Sequence, residues 1–404
     1  MEELILALKR LLMNDVIPLR QADAEVYGSK FRDITTEWNP LDFRDFAAFV
    51  NTFSSRLFVQ WLETNKKSGM VSGAGLALLL TIVDFLSEGI TKKEIRETMG
   101  SGFFPSPALI QKWLEAMEHS DRMAKIQIKN GLWYHEGIQA DQEIRGALKT
   151  MFQTGGSPQN FSSERSVNII NRWAKEMSVN RIPSLIELLK GNMIFAQIVN
   201  IRGVWQYPFE KLSSRADLFY SEDGPVSIPM MRTEGTFPFL KSDLWDSVFL
   251  PLGQNLLTLI VSVPAKGKNL EEMPELFFSG EYAAKPNIRA AAMRVVLPVV
   301  SLHTLTDFGF LLKKMGLLSG FDPDTTDFRR FSPEPLWLDQ LVQGVSFEIN
   351  ETGVGDNRFA RTQINFKPIA PESEQLIIDR PFYLKIVENN TGMILLQGIF
   401  MGKD

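Results

Sequence analysis

The chain of 404 residues contains no cysteine and only three histidines, His119, His135 and His303. The first absence excludes disulfides, thiol nucleophiles and cysteine metal sites. It leaves the compartment open, because a large core needs no covalent staples. The second leaves little for acid–base or metal chemistry, since no histidine stands in an H-E-x-x-H spacing or beside a G-x-S-x-G turn. Each reads as a surface or partly buried imidazole. Phosphate-binding glycine loops are missing as well: the clusters SGAG at 72–75 and GQN at 253–255 lack the strand–glycine–helix spacing of a dinucleotide site. The acidic pairs Glu271-Glu272 and Asp322/Asp324 have no second group beside them and read as solvated charges. The chain is therefore expected not to be an enzyme and to hold neither metal nor cofactor.

Long basic and long apolar runs are also lacking. A net charge of -5 and a pI near 5.5, without a stretch of Lys or Arg, argue against nucleic acid or an anionic membrane as partner. In 91–125, Lys92, Lys93, Arg96, Lys112, Arg122 and Lys125 are interleaved with Glu94, Glu97, Glu115, Glu118 and Asp121, which cancels the field a polyanion would need. No segment offers the roughly eighteen apolar residues of a membrane span, and the opening MEELILALKRLLM is too acidic and too short for a signal peptide. The chain is expected to be either intracellular or exported with its leader removed.

What is present is an ordinary globular composition, 44% apolar and 23% charged, enough for a large core. Leu4, Ile5, Leu8, Leu11 and Leu12 recur at helical spacing, so a short amphipathic helix is expected at 1–14, followed by a polar, proline-broken stretch to 42. Residues 1–42 read as an extension and 43–404 as the folded domain. Helical periodicity marks 43–65, 74–88, 91–99, 106–122 and 164–178, with one strand at 125–134. After 192 the texture changes to strand-like runs: MIFAQIVNI, VFLPL, LLTLIVSVP, MRVVLPVVSL, LVQGVSFEIN, FYLKIVE and GMILLQGIF. Helices first and strands later, without crossover units, imply an α+β fold.

The C-terminal residues Asp379-Arg380-Pro381-Phe382, Asn390-Thr391-Gly392, Ile394-Leu395-Leu396 and Gly398 resemble the closing segment of the serpin family. Matches continue in the family's order through Ile170-Asn171-Arg172-Trp173, Arg202-Gly203-Val204-Trp205, Ile228-Pro229-Met230-Met231, Leu297-Pro298 and Phe347 to Gly353, covering roughly 45–401. The resemblance implies about nine helices, three β-sheets and an exposed reactive-centre loop between Glu351 and Asp379. In inhibitory members a protease cuts that loop, whose first part then enters the central sheet as a strand.

In this chain the hinge Glu351, Thr352, Gly353, Val354 is followed by Asp356 and Arg358, on the inward set that continues with Ala360, Thr362, Ile364 and Phe366. An inserting strand buries alternate side chains, and unpaired buried charge is costly. The scissile bond implied by the family's spacing is Lys367–Pro368, or Ala370–Pro371 when counted back from Pro381, and proline on the leaving side obstructs cleavage. Arg361 and Arg358 are alternative cleavage positions. Where the family has polar residues that latch the central strands, this chain presents Ser72, Gln197 and Gln343, with Gly75 in place of a serine, and Trp205 at the top of the sheet. Val299 stands where a lysine often pairs with the hinge glutamate.

The expectation is a non-inhibitory or weakly inhibitory protein, a carrier, chaperone, precursor or binding partner. The alternative is a serine- or cysteine-protease inhibitor cut at Lys367, Arg361 or Arg358. A third reading makes 1–42 the working part. A monomer is expected, with a protein, a protease or a small hydrophobic ligand as partner. The sequons at Asn160, Asn350 and Asn389 point to an extracellular glycoprotein, with an intracellular location as the alternative.

Overall fold

A computed structural model describes residues 43–100, 103–119, 121, 123–270, 288–355 and 374–402. The expected helix at 1–14, the extension to 42 and the loop residues Asp356, Arg358, Arg361, Lys367, Pro368 and Ala370 lie outside them.

The first half runs α1 (Arg44–Thr64), β1 (Gly69–Val71), α2 (Gly73–Leu86), α3 (Gly89–Met99), α4 (Pro107–His119) and β2 (Ala124–His135). It continues with α5 (Gln142–Met151), β3 (Thr154–Gly155), β4 (Pro158–Gln159) and α6 (Glu164–Met177). The second half is mainly strand: β5 (Met193–Val204), β6 (Arg215–Ser221), β7 (Gly224–Lys241), β8 (Trp245–Leu252), β9 (Leu257–Pro264), β10 (Ile288–Pro298) and β11 (Val300–Asp307). The short helix α7 (Gly309–Lys314) precedes β12 (Leu338–Asn350), β13 (Gly353–Val354), β14 (Glu374–Ile377), β15 (Phe382–Glu388) and β16 (Met393–Phe400).

The two strongest helices form for different reasons. In α1, Phe46, Phe49, Val50, Phe53, Leu57 and Phe58 recur at three- and four-residue spacing and bury one face. In α2 nearly every side chain is buried, as expected of a helix apolar all round and packed between layers. It touches α1, α3, β16 and β5. Ser72 starts it as N-cap, its Oγ accepting from Gly75 N.

Seven α-helices lie among the described residues, with two hydrogen-bonded sheets. One has the order β1-β16-β15-β9-β8-β7-β10-β14, with β6 on β7. The other has the order β11-β12-β13-β5-β2-β3, with β4 on β2. Two of the three expected sheets are continuous here because β7 is long: its first part, to Met230, pairs with β6, Met230 to Leu240 pair with β10, and Phe239 to Lys241 pair with β8. The run MRVVLPVVSL, expected as one strand, is two. Pro298 removes a ladder donor, Val299 N donates to Pro229 O, and the chain passes from β10 in one sheet to β11 in the other.

Candidate functional site

The centre of the second sheet is a parallel pair, β12 beside β5, registered from Leu338 and Met193 to Ser346 and Asn200. At the middle of this pair Gln343 faces Gln197, and across the next pair Gln197 faces Asn130 on β2. All three are buried. Gln343 Nε2 donates to Gln197 Oε1 (2.7 Å) and to Ser72 O (3.0 Å), while its Oε1 accepts from Ser72 N (2.9 Å). Gln197 Nε2 donates to Gly75 O and to Asn130 Oδ1, both at 2.8 Å. Ser72 Oγ donates to Leu395 O (2.7 Å), which ties the start of α2 to β16. A row of amides therefore crosses three strands and ends on a helix N-terminus. Both glutamines use both of their amide hydrogens.

The glycine at 75 is part of that arrangement. A Cβ there would overlap Gln197 Oε1, so the long glutamine reaches the helix backbone only because no side chain stands in its way. Sequence reasoning brought Ser72, Gln197 and Gln343 together and missed Asn130. A lone polar residue at an inward position of KIQIKNGLWY, following the buried Ile126 and Ile128, was the available signal.

Above this row β12 and β5 part. After Asn350 the chain turns back: Asn350 Oδ1 accepts from Thr352 N (2.9 Å) and Thr352 Oγ1 (2.6 Å), a local Asx turn. Gly353 and Val354 then enter the gap as β13, antiparallel to both neighbours. Asn350 and Ile349 face them on one side, Val204 and Gly203 on the other. Trp205 and Phe209 hold the turn. Trp205 Nε1 donates to Asn350 O (2.8 Å), Trp205 N to Thr352 O (3.2 Å) and Phe209 N to Glu351 O (3.2 Å).

The hinge was expected outside the sheet, and its beginning is inside it. Val354 is 0% exposed. The reason is that glycine and valine suit a buried strand, whereas charge begins two residues later. At Gly355 the strand ends. Its N donates to Glu348 O (2.8 Å), its φ is +73°, and a Cβ would overlap Ile201 O. Glu351 and Thr352 stay half-buried at the rim.

Below β13 the two strands leave a cleft of about 190 Å³ lined by Asn200, Arg181, Ser346, Glu348 and Gly355. Arg181 lies in the segment after α6 and makes an ion pair with Glu348 of β12. That segment is pinned by Asn171 of the sequence motif, whose Oδ1 accepts from Leu185 N (2.7 Å) and Ile186 N (3.0 Å). Ser346 Oγ, buried in the cleft wall, has no partner among the described residues.

The carbohydrate sites need one correction. Asn389 is 0% exposed and its Nδ2, the atom a glycan would occupy, donates to Asn255 O (2.8 Å). A folded chain has no room for sugar there. Asn160 is exposed, and Asn350 is half-buried with its Oδ1 engaged in the hinge turn. Among the described residues there is no cluster of metal-ligating side chains, and no helix is long and apolar enough to cross a membrane.

Comparison with known proteins matches residues 48–403 to the family described as Serpin (serine protease inhibitor). Plasminogen activator inhibitor 1 of Bos taurus is 25% identical over 377 residues, covering 88% of this chain and 92% of that protein. Antitrypsin of Bombyx mori is 23% identical over 368 residues, covering 87% and 92%. Among solved structures, thyroxine-binding globulin in complex with thyroxine superposes with a TM-score of 0.79 at 20% identity, covering 89% of this chain and all of that one. The thermophilic serpin tengpin in its native state gives 0.79 at 16% identity, covering 92% and 96%.

Proposed function

Because the chain belongs to the serpin family, its activity turns on whether the segment after Gly353 can enter the sheet, and we propose that it is a non-inhibitory or weakly inhibitory member. It acts in this reading as a carrier, chaperone, precursor or binding protein. The seat of Val354, buried between β12 and β5, carries the reading. Side chains alternate along a strand, so continuing β13 would put Asp356 and Arg358 on the face that Val354 occupies. Pairing the two charges with each other softens the penalty, yet both still lose hydration, in a step that must outrun the protease.

Three further features support it. Gly355, with φ at +73°, ends the described strand at the residue before the first charge. Both scissile-bond registers place a proline, Pro368 or Pro371, on the leaving side. The row from Gln343 to Asn130 closes the strands below, with every amide hydrogen of both glutamines engaged. Thyroxine-binding globulin, solved in complex with thyroxine, makes a carrier role compatible with the fold. The exposed Asn160 supports an extracellular glycoprotein, with an intracellular location as the alternative.

A second reading is favoured by one observation: two hinge residues already occupy the sheet, so insertion has a start. Together with relatives named as protease inhibitors, this points to inhibition through cleavage at Lys367, Arg361 or Arg358. Incubation with trypsin separates the readings. The expected result is a nicked chain, no detergent-resistant complex on a gel, and a melting temperature nearly unchanged by nicking. A stable complex overturns the proposal. Replacing Asp356 and Arg358 together by Ala is expected to make the nicked protein melt much higher; without that rise, the block lies elsewhere.

A further inference from the structure

The helix α5 stands over a cavity of about 310 Å³ that has no part in the hinge or the amide row. Its apolar wall is Leu132, Leu148 and Phe331, with the Tyr134 ring set edge-on to Phe331 at 5.1 Å. Arg145 and Lys149, four residues apart on the same face of α5, line its mouth, and neither has an ion-pair partner among the described residues. Like charges at this spacing repel, so an anion between them relieves an existing strain.

One buried polar group of the lining also lacks a partner. Thr154 is 8% exposed, and its Oγ1 has no hydrogen-bond partner among the described residues. Burial pushes the Tyr134 phenol above its ordinary range, with nearby Arg145 acting against the shift, so the hydroxyl keeps its proton and donates. Guanidinium, ammonium and phenol all offer hydrogens, and no carboxylate lines the site. Gly146 leaves the mouth open: a Cβ there would meet nothing within 4 Å.

We infer that this cavity binds a small amphipathic carboxylate, its acid group held between Arg145 and Lys149 and its apolar body against Leu132, Leu148 and Phe331. The volume sits at the lower end of ligand sites and suits a single medium-length chain or ring system. The inference supplies a ligand class to a carrier without depending on the loop, because occupancy is read on the intact protein and the protease assay does not touch it.

The test is a calorimetric titration of the full chain with octanoate, run beside 1-octanol, which has the same body and no charge. Saturable one-to-one binding of octanoate is expected, with octanol at least about tenfold weaker, since a charge-assisted bond is lost. Arg145→Gln is expected to weaken octanoate by about tenfold. Gly146→Leu fills the mouth and is expected to abolish binding without lowering the melting temperature, because leucine is the better helix former. If that variant melts lower, the pair Arg145→Gln and Lys149→Gln decides in its place. Absence of saturable heat, equal affinity for octanol, or wild-type affinity surviving in these variants overturns the proposal.

Discussion

The same two strands, β12 and β5, meet in opposite ways at two heights. At Gln343 and Gln197 they are directly paired and latched by side-chain amides that satisfy one another and the start of α2. At Ile349–Asn350 and Gly203–Val204 they are separated, and the main chain of Gly353 and Val354 fills the gap. Between the two levels lies the cleft walled by Ser346 and Asn200. In the proposed reading, the difference locates the resistance to an entering strand. At the top, entry replaces missing ladder bonds and buries one valine. At the middle, entry must break a buried network in which every amide hydrogen of both glutamines is engaged, and unsatisfied buried polar groups are expensive.

The largest effect is expected from removing the latch. Gln197→Leu leaves Gly75 O and Asn130 Oδ1 without their donor and one Gln343 N–H without its acceptor, which sums to about 4 kcal/mol of lost stability. Chemical unfolding reads this directly. A loss below about 1 kcal/mol would mean that the strands are held by backbone pairing alone. Next comes Gly75→Ser, whose Cβ would overlap Gln197 Oε1, at about 2 kcal/mol. Combining it with Gln197→Asn, which shortens the intruding amide, should recover much of the loss. A double-mutant cycle with no coupling would refute the fit between the small residue and the long one.

At the upper level the lever is Gly355. With φ at +73° and Ile201 O in the way, Gly355→Ala is expected to cost about 1–2 kcal/mol locally. It should expel the two-residue strand without disturbing the latch. Hydrogen exchange then quickens at Val354 and Gly203, while the amides around Gln343 stay protected. Acceleration at both levels would show that the two regions open as one unit.

How much of this was legible follows from which signals are periodic. The helices α1 to α4 and α6 announce themselves by apolar spacing, and their observed bounds fall within three residues of the expected ones. The helix α5 went unread: Gly146 interrupts a polar segment, and only Ile144, Leu148, Met151 and the capping Asp141 mark it. The strands β6 and β7 were likewise missed, because Pro225, Pro229 and Pro238 punctuate a sequence with an alternating exposed face. At the site, the facing glutamines were readable from their place in an ordered set of motifs. The role of Gly75 was not, since a missing side chain acquires meaning only beside the atom that needs the space. The insertion of Gly353 and Val354 was also invisible: two residues carry no period.

The smallest predicted effect bears on how the cleft is spanned. Arg181 and Glu348 join the segment over the sheet to β12 through an ion pair whose side chains are 23% and 22% exposed. A partly exposed pair of this kind contributes up to roughly 1 kcal/mol and is screened by salt. Uncharged amides are not screened in this way. Raising ionic strength should therefore loosen the upper level selectively, quickening exchange at Val354 while leaving the Gln343 row unchanged. In Glu348→Gln the salt dependence at Val354 should vanish, because the charge that salt screens is gone. Equal salt dependence in wild type and variant would mean that the ion pair does not govern the cleft. The resistance to loop entry would then rest on the amide latch and the glycine turn alone.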